Sequence, residues 1–244
     1  MLPLNLPHKK GLFITATDTG VGKTMIAGAI ARLLTDEGLR VGAYKPIATG
    51  CGRGAYGLVS ADAEFLAMCT NNVEPVTVIN PITYETPAAP IVCETKEDRV
   101  VDFEAIASIY QSLCQRTDMV LVEGIGGVRV PLSDGVDLLD LMGQFALPVV
   151  VVARPNLGTI NHTLLTVDAI RAAGLYVAGI VINGFNAATA GVAEETVAAI
   201  LYQWAKAPIL AVVPCDPLSS VEHCNLGQVV LDALIDCDWA NLAG

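Results

Sequence analysis

Residues 16–24 read Ala16-Thr17-Asp18-Thr19-Gly20-Val21-Gly22-Lys23-Thr24, and the reading of this stretch decides the fold. It follows a short apolar run that starts at Gly11 and leads at once into a helical pattern over 23–35 that stops near Gly38. Small residues between a buried strand and a helix let backbone N–H groups curl around phosphate oxygens, and the helix N-terminus adds its positive dipole end. Lys23 then faces β and γ phosphates and the Thr24 hydroxyl faces Mg²⁺, the arrangement of a P-loop for ATP-Mg²⁺. The usual pattern has a glycine five positions before Gly22, where this chain has Thr17. A glycine-rich turn with an incidental lysine is the alternative; the buried strand before the loop and the helix directly after it favour the P-loop.

Outward from this loop, apolar runs alternate with helical patterns, as parallel βαβ units require. Strands are expected at 11–16, 40–45, 118–122, 148–152, 176–182 and 209–213. Helices are expected at 23–35, after a Ser60 cap, and at 103–115, 136–145, 160–173, 190–204 and 226–235. A glycine-rich loop covers 49–57, and 71–101, with Pro75, Pro81, Pro87 and Pro90, reads as irregular chain packed around a ligand. Without repeats or low-complexity linkers, the chain is expected to be one domain. Its fold is expected to be an α/β P-loop NTPase fold, with a mostly parallel sheet of about seven strands and helices on both faces. Ligands of such sheets sit at the carboxyl ends of the strands.

Three strand-end or helix-start residues stand out on that rule. Glu123 ends the apolar run 119–122 and precedes Gly124-Ile125-Gly126-Gly127, so a carboxylate is delivered where backbone can approach a ligand closely. Lys45 follows the second strand and is one of only 14 basic residues; it reads either as a second cation for phosphoryl oxygens or as an exposed lysine at a loop start. Asp62, in the first turn of the helix after Ser60, reads on sequence alone as an acid that complements the helix dipole. Thr49 is a substrate hydroxyl or a turn residue.

Composition narrows the partners. Hydrophobic residues make up 53% of 244 and charged residues 16%, a profile that excludes a disordered chain. Net charge of −11 opposes a phosphodiester backbone, so nucleic acid is not an expected partner. The longest apolar run, 147–153, is strand-sized, so no membrane span is expected. Residues 1–10 hold two lysines and two prolines but no apolar segment before a cleavage site, which leads to the expectation of a cytoplasmic protein. Seven cysteines show no metal-ligand spacing with the three histidines and read as reduced core thiols.

Several motifs in order resemble dethiobiotin synthetases, the ATP-dependent carboxylases of biotin biosynthesis. They are TDTGVGKT at 17–24, YKPIATG at 44–50, SADA at 60–63 and NPITYETPAAP at 80–90. VEGIGGVRVPLSD at 122–134, LGTINHTLLT at 157–166, GIVIN at 179–183 and Pro214-Cys215-Asp216 continue the series over most of the chain. The resemblance implies that 7,8-diaminopelargonic acid, CO₂ and ATP yield a cyclic urea: one amine forms a carbamate, ATP phosphorylates it, and the other amine displaces phosphate.

The resemblance implies roles for individual residues. Thr24, Asp62 and Glu123 would hold the metal, which changes the capping reading of Asp62. Lys45 and Lys23 would be catalytic, and Thr19, Thr49, Leu157, Gly158 and Asn161 would meet the substrate. Thr19, Gly20, Val21, Gly22, Lys23, Thr24, Gly124 and Gly126 would line the nucleotide's phosphates and metal, with Asn183 at the adenine edge and Pro214, Cys215 and Asp216 beside the base. It further implies a homodimer, in which the segment opened by Leu157 holds the substrate carboxylate of the neighbouring subunit. Two departures stand out: Ala16 where many members have glycine, and Gly184 where a second polar residue is common.

The rival of another class is a ParA/MinD-like ATP switch that dimerises and binds a partner. That class carries a lysine five residues before the P-loop lysine, and here the position is Asp18; residues 229–244 hold three aspartates and no basic residue. A glutaminase-coupled amidotransferase would need a further domain for which the chain has no room.

Overall fold

The computed structural model describes residues 4–55 and 57–244. Residue 56 of the glycine-rich loop, and residues 1–3 of the N-terminal reading, lie outside the described residues. In chain order the elements begin with β1 (Gly11–Ala16), α1 (Lys23–Asp36), β2 (Val41–Tyr44), β3 (Ile47–Ala48), β4 (Gly52–Gly54) and β5 (Gly57–Val59). Next come α2 (Ala61–Cys69), α3 (Val76–Ile79), β6 (Ile82–Thr83), α4 (Pro90–Glu97) and α5 (Phe103–Arg116). They continue with β7 (Met119–Gly127), β8 (Pro131–Ser133), β9 (Val136–Asp137), α6 (Leu138–Phe145), β10 (Val149–Ala153) and α7 (Thr159–Ala172). The last are β11 (Val177–Phe185), α8 (Val192–Ala205), β12 (Ile209–Pro214), α9 (Gln228–Leu234) and α10 (Trp239–Leu242).

One parallel sheet organises the described residues, in the order β12-β11-β10-β1-β7-β2. Its inner strands are apolar on both faces because both are covered, as expected of parallel sheets, while the edge strand β12 exposes Val212. Alternation along β1 sends Phe13 to one face and Leu12 and Ile14 to the other. Phe13 joins Tyr44, Tyr110 and Phe145 beneath α5 and α6, with α7 and α8 adding Ile170 and Leu201. The opposite layer collects Ile26 and Ile30 of α1, Phe65 of α2 and Leu234 of α9. The two layers together form the core.

The sheet has six strands and not about seven. Each of the six apolar runs read from sequence is in it. The chain after β2 cannot extend the ladder, because Pro46 has no N–H to donate, and residues 47–48 pair only with 82–83. The β4–β5 and β8–β9 pairs are short antiparallel ribbons outside the sheet.

The proline-rich segment also differs from the irregular chain expected. It holds α3, β6 and α4, and α4 starts on Pro90, a first-turn position at which no N–H is needed. Ser60 occupies the N-cap of α2 without a side-chain capping bond. Cys51, Cys69 and Cys93 are buried thiols as read, whereas Cys215 is exposed and Cys114, Cys224 and Cys237 are half-buried.

Gly11 marks the tightest strand contact: a Cβ there would lie 2.1 Å from the Val120 carbonyl oxygen. Gly143, exposed in α6, has open space around it. Gly11→Ala is therefore expected to lower the unfolding free energy by roughly 1–3 kcal/mol, and Gly143→Ala to raise it by about 0.5–1 kcal/mol. Urea unfolding of the two variants checks the opposite signs.

Candidate active site

Strand order builds the site. β7 lies between β1 and β2, and its register sets Val122 beside Tyr44 and Glu123 beside Ile14. Glu123 and Lys45, each one residue further along, thus emerge side by side at the carboxyl end of the sheet. The Lys45 ammonium donates to Glu123 Oε1 at 2.6 Å and pairs with Asp62 Oδ2 at 2.7 Å. Thr24 Oγ1 donates to the same Glu123 oxygen at 2.8 Å. Asp62 is therefore an ion-pair partner and no mere cap.

Burial sets the electrostatics. Glu123 is fully buried, and Lys23, Thr24 and Lys45 are nearly so. Burial raises the Glu123 carboxyl above its ordinary value against the pull of Lys45. For Lys45, burial favours the neutral amine, but Glu123 and Asp62 outweigh it and hold the ammonium above its ordinary value. Asp62 is shifted the other way: burial opposes its charge, and Lys45 overcomes that and keeps it below the usual carboxylate range. Lys23 is brought down to about 8 by burial and then by the positive charge of Lys45.

The phosphate loop itself is held by backbone geometry. Gly20 (φ 70°) and Gly22 (φ 97°) adopt left-handed conformations, and Gly22 is the N-cap of α1. Asn183 Nδ2 donates to the Val21 carbonyl at 2.9 Å, and a Cβ on Gly22 would fall 2.1 Å from that nitrogen. Lys23 Nζ donates to the Asp18 carbonyl at 3.2 Å. Arg154, just after β10, donates to the Thr19 carbonyl at 2.8 Å and lies 3.4 Å from the Asp18 carboxylate.

A cavity of 340 Å³ opens on this loop. Thr19, Gly20, Gly22, Lys23, Thr24 and Gly126 line it from the loop side, and Lys45, Thr49, Asp62 and Glu123 from the other. Val221 and Glu222, which no motif had marked, close one wall. They come from the stretch between β12 and α9, where neither an apolar period nor a glycine pattern points to a site.

Other residues read from the sequence stand elsewhere. Gly124 packs against Leu138 and Phe13 and does not line the cavity. Val21, within the loop, is buried, and Asn183 braces it through its carbonyl. Cys215 N donates to the Phe185 carbonyl at 2.8 Å, so Pro214 and Cys215 continue the β11–β12 edge. The Asp216 carboxylate accepts from Ser219 Oγ at 2.7 Å and from Leu218 N at 3.1 Å, clasping the segment that leads to Val221. Leu157 lines a separate cavity of 130 Å³ with Thr17, Asp18, Arg154 and His162; neighbouring Gly158 and Asn161 are exposed at the start of α7.

The donor set fits a small hard cation beside phosphates. Thr24, Asp62 and Glu123 offer oxygen only, and Glu123 Oε2 is buried with no partner. No group of three or more His, Cys, Asp or Glu side chains that could hold a metal alone occurs among the described residues. Phosphate and water oxygens would complete the shell, as Mg²⁺ prefers. No helix among the described residues is long and apolar enough to cross a membrane.

Gly22→Ala is expected to cost about 1–3 kcal/mol of stability through its positive φ, and more through the clash with Asn183. Gly20→Ala meets open space and is expected to cost only the backbone strain. Urea unfolding should rank the two in that order, and adding Asn183→Ala to Gly22→Ala should recover part of the loss.

A family model described as an AAA domain matches residues 10–223. Among solved structures, the MinC:MinD cell division complex of Aquifex aeolicus covers 95% of this chain and 94% of its own, with a TM-score of 0.61 at 16% identity. A ParA family ATPase from Chlorobium tepidum covers 96% and 99%, with a TM-score of 0.59 at 12% identity. These two likenesses show the P-loop NTPase fold. Sequence relatives are more specific. The ATP-dependent dethiobiotin synthetase BioD of Thermodesulfovibrio yellowstonii is 39% identical over 91% of this chain and 95% of that protein. Its counterparts from Bacillus licheniformis and Anaeromyxobacter dehalogenans are 38% and 43% identical over 84% and 71% of the chain, which is 86% and 76% of each relative. Relatives of that identity and coverage, together with a phosphate loop opening on a buried Lys45–Glu123 pair, place this chain in the dethiobiotin synthetase family, enzymes that form C–N bonds.

Proposed function

We propose that the chain converts 7,8-diaminopelargonic acid, CO₂ and ATP to dethiobiotin, ADP and phosphate. The observation that carries this reading is the convergence of two lysines, two carboxylates and a hydroxyl on the mouth of the phosphate loop. A neutral water nucleophile brings no negative charge of its own for a second buried ammonium to meet. A nucleophile that is itself an anion does, and that charge must approach the γ-phosphate.

In this reading an amine of the substrate adds to CO₂, loses a proton and becomes a carbamate. A carbamate oxygen attacks the γ-phosphorus and ADP departs, leaving a carbamic–phosphoric anhydride. The second amine attacks the anhydride carbon, phosphate leaves with the C–O electron pair, and a second proton is lost as the urea ring closes. Lys23 binds the β and γ oxygens. Lys45, held charged by Glu123 and Asp62, faces the oxygens that pass from carbamate to phosphate. Thr24, Asp62 and Glu123 would hold Mg²⁺, which would supply charge neutralisation along the phosphates. Thr19 and Thr49 orient the diamine from opposite walls.

The chain acts as one domain and as a homodimer, the Leu157–Gly158–Asn161 corner of one subunit receiving the carboxylate of the substrate held by the other. That corner stands on the far side of the phosphate loop from Lys45, and the amide N–H groups that open α7 suit an anion. Its compartment is the cytoplasm. The second reading, an ATP-dependent partner-binding switch, has the fold likeness to MinD and ParA in its favour. Asp18, paired with Arg154 where that class carries a lysine, counts against it.

Phosphate release should require both the diamine and bicarbonate. Lys45→Ala should lower ring closure by at least about 10²-fold while Mg-ATP still binds, as read by product assay and calorimetry. Turnover stimulated by a protein or DNA partner but not by the diamine would favour the switch.

A further inference from the structure

The motif at 80–90 does not line the phosphate-loop cavity, yet its first residue is among the most buried polar groups of the chain: Asn80 is 4% exposed. Its Nδ2 donates to the Lys45 carbonyl at 2.7 Å and to the Ile82 carbonyl at 3.2 Å. Both partners are carbonyls, so the amide must present its N–H₂ to them; its Oδ1 has no partner among the described residues.

The topology explains why such a residue is needed. β2 is the edge strand, and Pro46 ends its ladder directly after Lys45. Lys45 therefore stands just beyond the sheet, with β7 on one side and no main-sheet strand on the other. The chain at 79–82 supplies the missing neighbour. Lys45 N donates to the Ile79 carbonyl at 2.7 Å, and Asn80 holds the Lys45 carbonyl, so both faces of that residue's backbone are fixed by adjacent residues of one segment. Ile82 N donates to the Pro46 carbonyl at 3.2 Å, and the β3–β6 ladder continues the contact toward Thr49.

We infer that Asn80 is a positioning residue for Lys45: it fixes the backbone from which the ammonium reaches Glu123 and Asp62, and through β3 the register of Thr49. The inference rests on the reading of Lys45 as catalytic. A displacement of about 1 Å at a catalytic group can cost on the order of 10²-fold in rate, whereas nucleotide binding draws on Lys23 and the loop amides, which Asn80 does not touch.

The test compares Asn80→Asp, which keeps the shape but has no N–H to donate, Asn80→Leu, which keeps the volume, and Lys45→Ala. For each, kcat of diamine- and bicarbonate-dependent phosphate release, KM for ATP, Mg-ATP affinity by calorimetry and thermal midpoint are measured. A fall in kcat on the order of 10²-fold in either folded Asn80 variant, with KM and Mg-ATP affinity unchanged, is expected. Asn80 variants with wild-type kcat would overturn the inference, as would loss of Mg-ATP affinity in step with kcat, the mark of a merely structural role. Wild-type turnover of Lys45→Ala would instead remove the catalytic reading of Lys45, and the Asn80 inference with it.

Discussion

A fully buried carboxylate, Glu123, governs the architecture around it. Moving such a charge out of water costs several kcal/mol even after relaxation, and the cost is tolerable only if the charge is paired and hydrogen-bonded. Here Lys45 and Thr24 meet one oxygen, and Asp62 shares the lysine. That requirement explains why β7 sits between the phosphate-loop strand and the edge strand that delivers Lys45.

The cluster also separates two lysines of like type. Lys45, between two carboxylates, stays cationic, whereas Lys23, buried and beside another cation, is brought down to about 8. Phosphate oxygens arriving at Lys23 would supply an anionic partner, and nucleotide binding would then complete a charge balance that burial and Lys45 leave open. Glu123 Oε2, buried and without a partner among the described residues, would likewise have room for a cation. Side chains from β11 and from just after β10 hold the loop backbone, Asn183 on Val21 and Arg154 on Thr19.

Most of the fold is legible in the sequence because its signals are local. The six apolar runs are the six strands of the sheet, and the glycines at 20 and 22 have the positive φ that their loop demands. The proline-rich segment reads as irregular but is not, since Pro90 opens a helix as readily as it ends one and the sequence does not say which. Among residues of the candidate site, Glu123 stands out in sequence as a charge at a strand end before three glycines, whereas Lys45 stays open between a second phosphate cation and an exposed loop lysine until its burial against Glu123 is seen. Asp62 is not legible from its surroundings in sequence: a first-turn acid has a sufficient local explanation, and only tertiary pairing with Lys45 gives it another. Glu222 carries no signal of its own in sequence, and Asn80, although it opens the motif at 80–90, is tied to the site only through the Lys45 carbonyl, 35 residues away in the chain.

The most direct test traces the oxygen atoms. With bicarbonate labelled by ¹⁸O and unlabelled water, a carbamate oxygen that attacks the γ-phosphorus must leave on the phosphate when the ring closes. The released phosphate is expected to carry one ¹⁸O from CO₂ per turnover. Phosphate free of label, formed at the full rate with diamine and bicarbonate present, would contradict phosphorylation of a carbamate at the Lys45–Glu123 site.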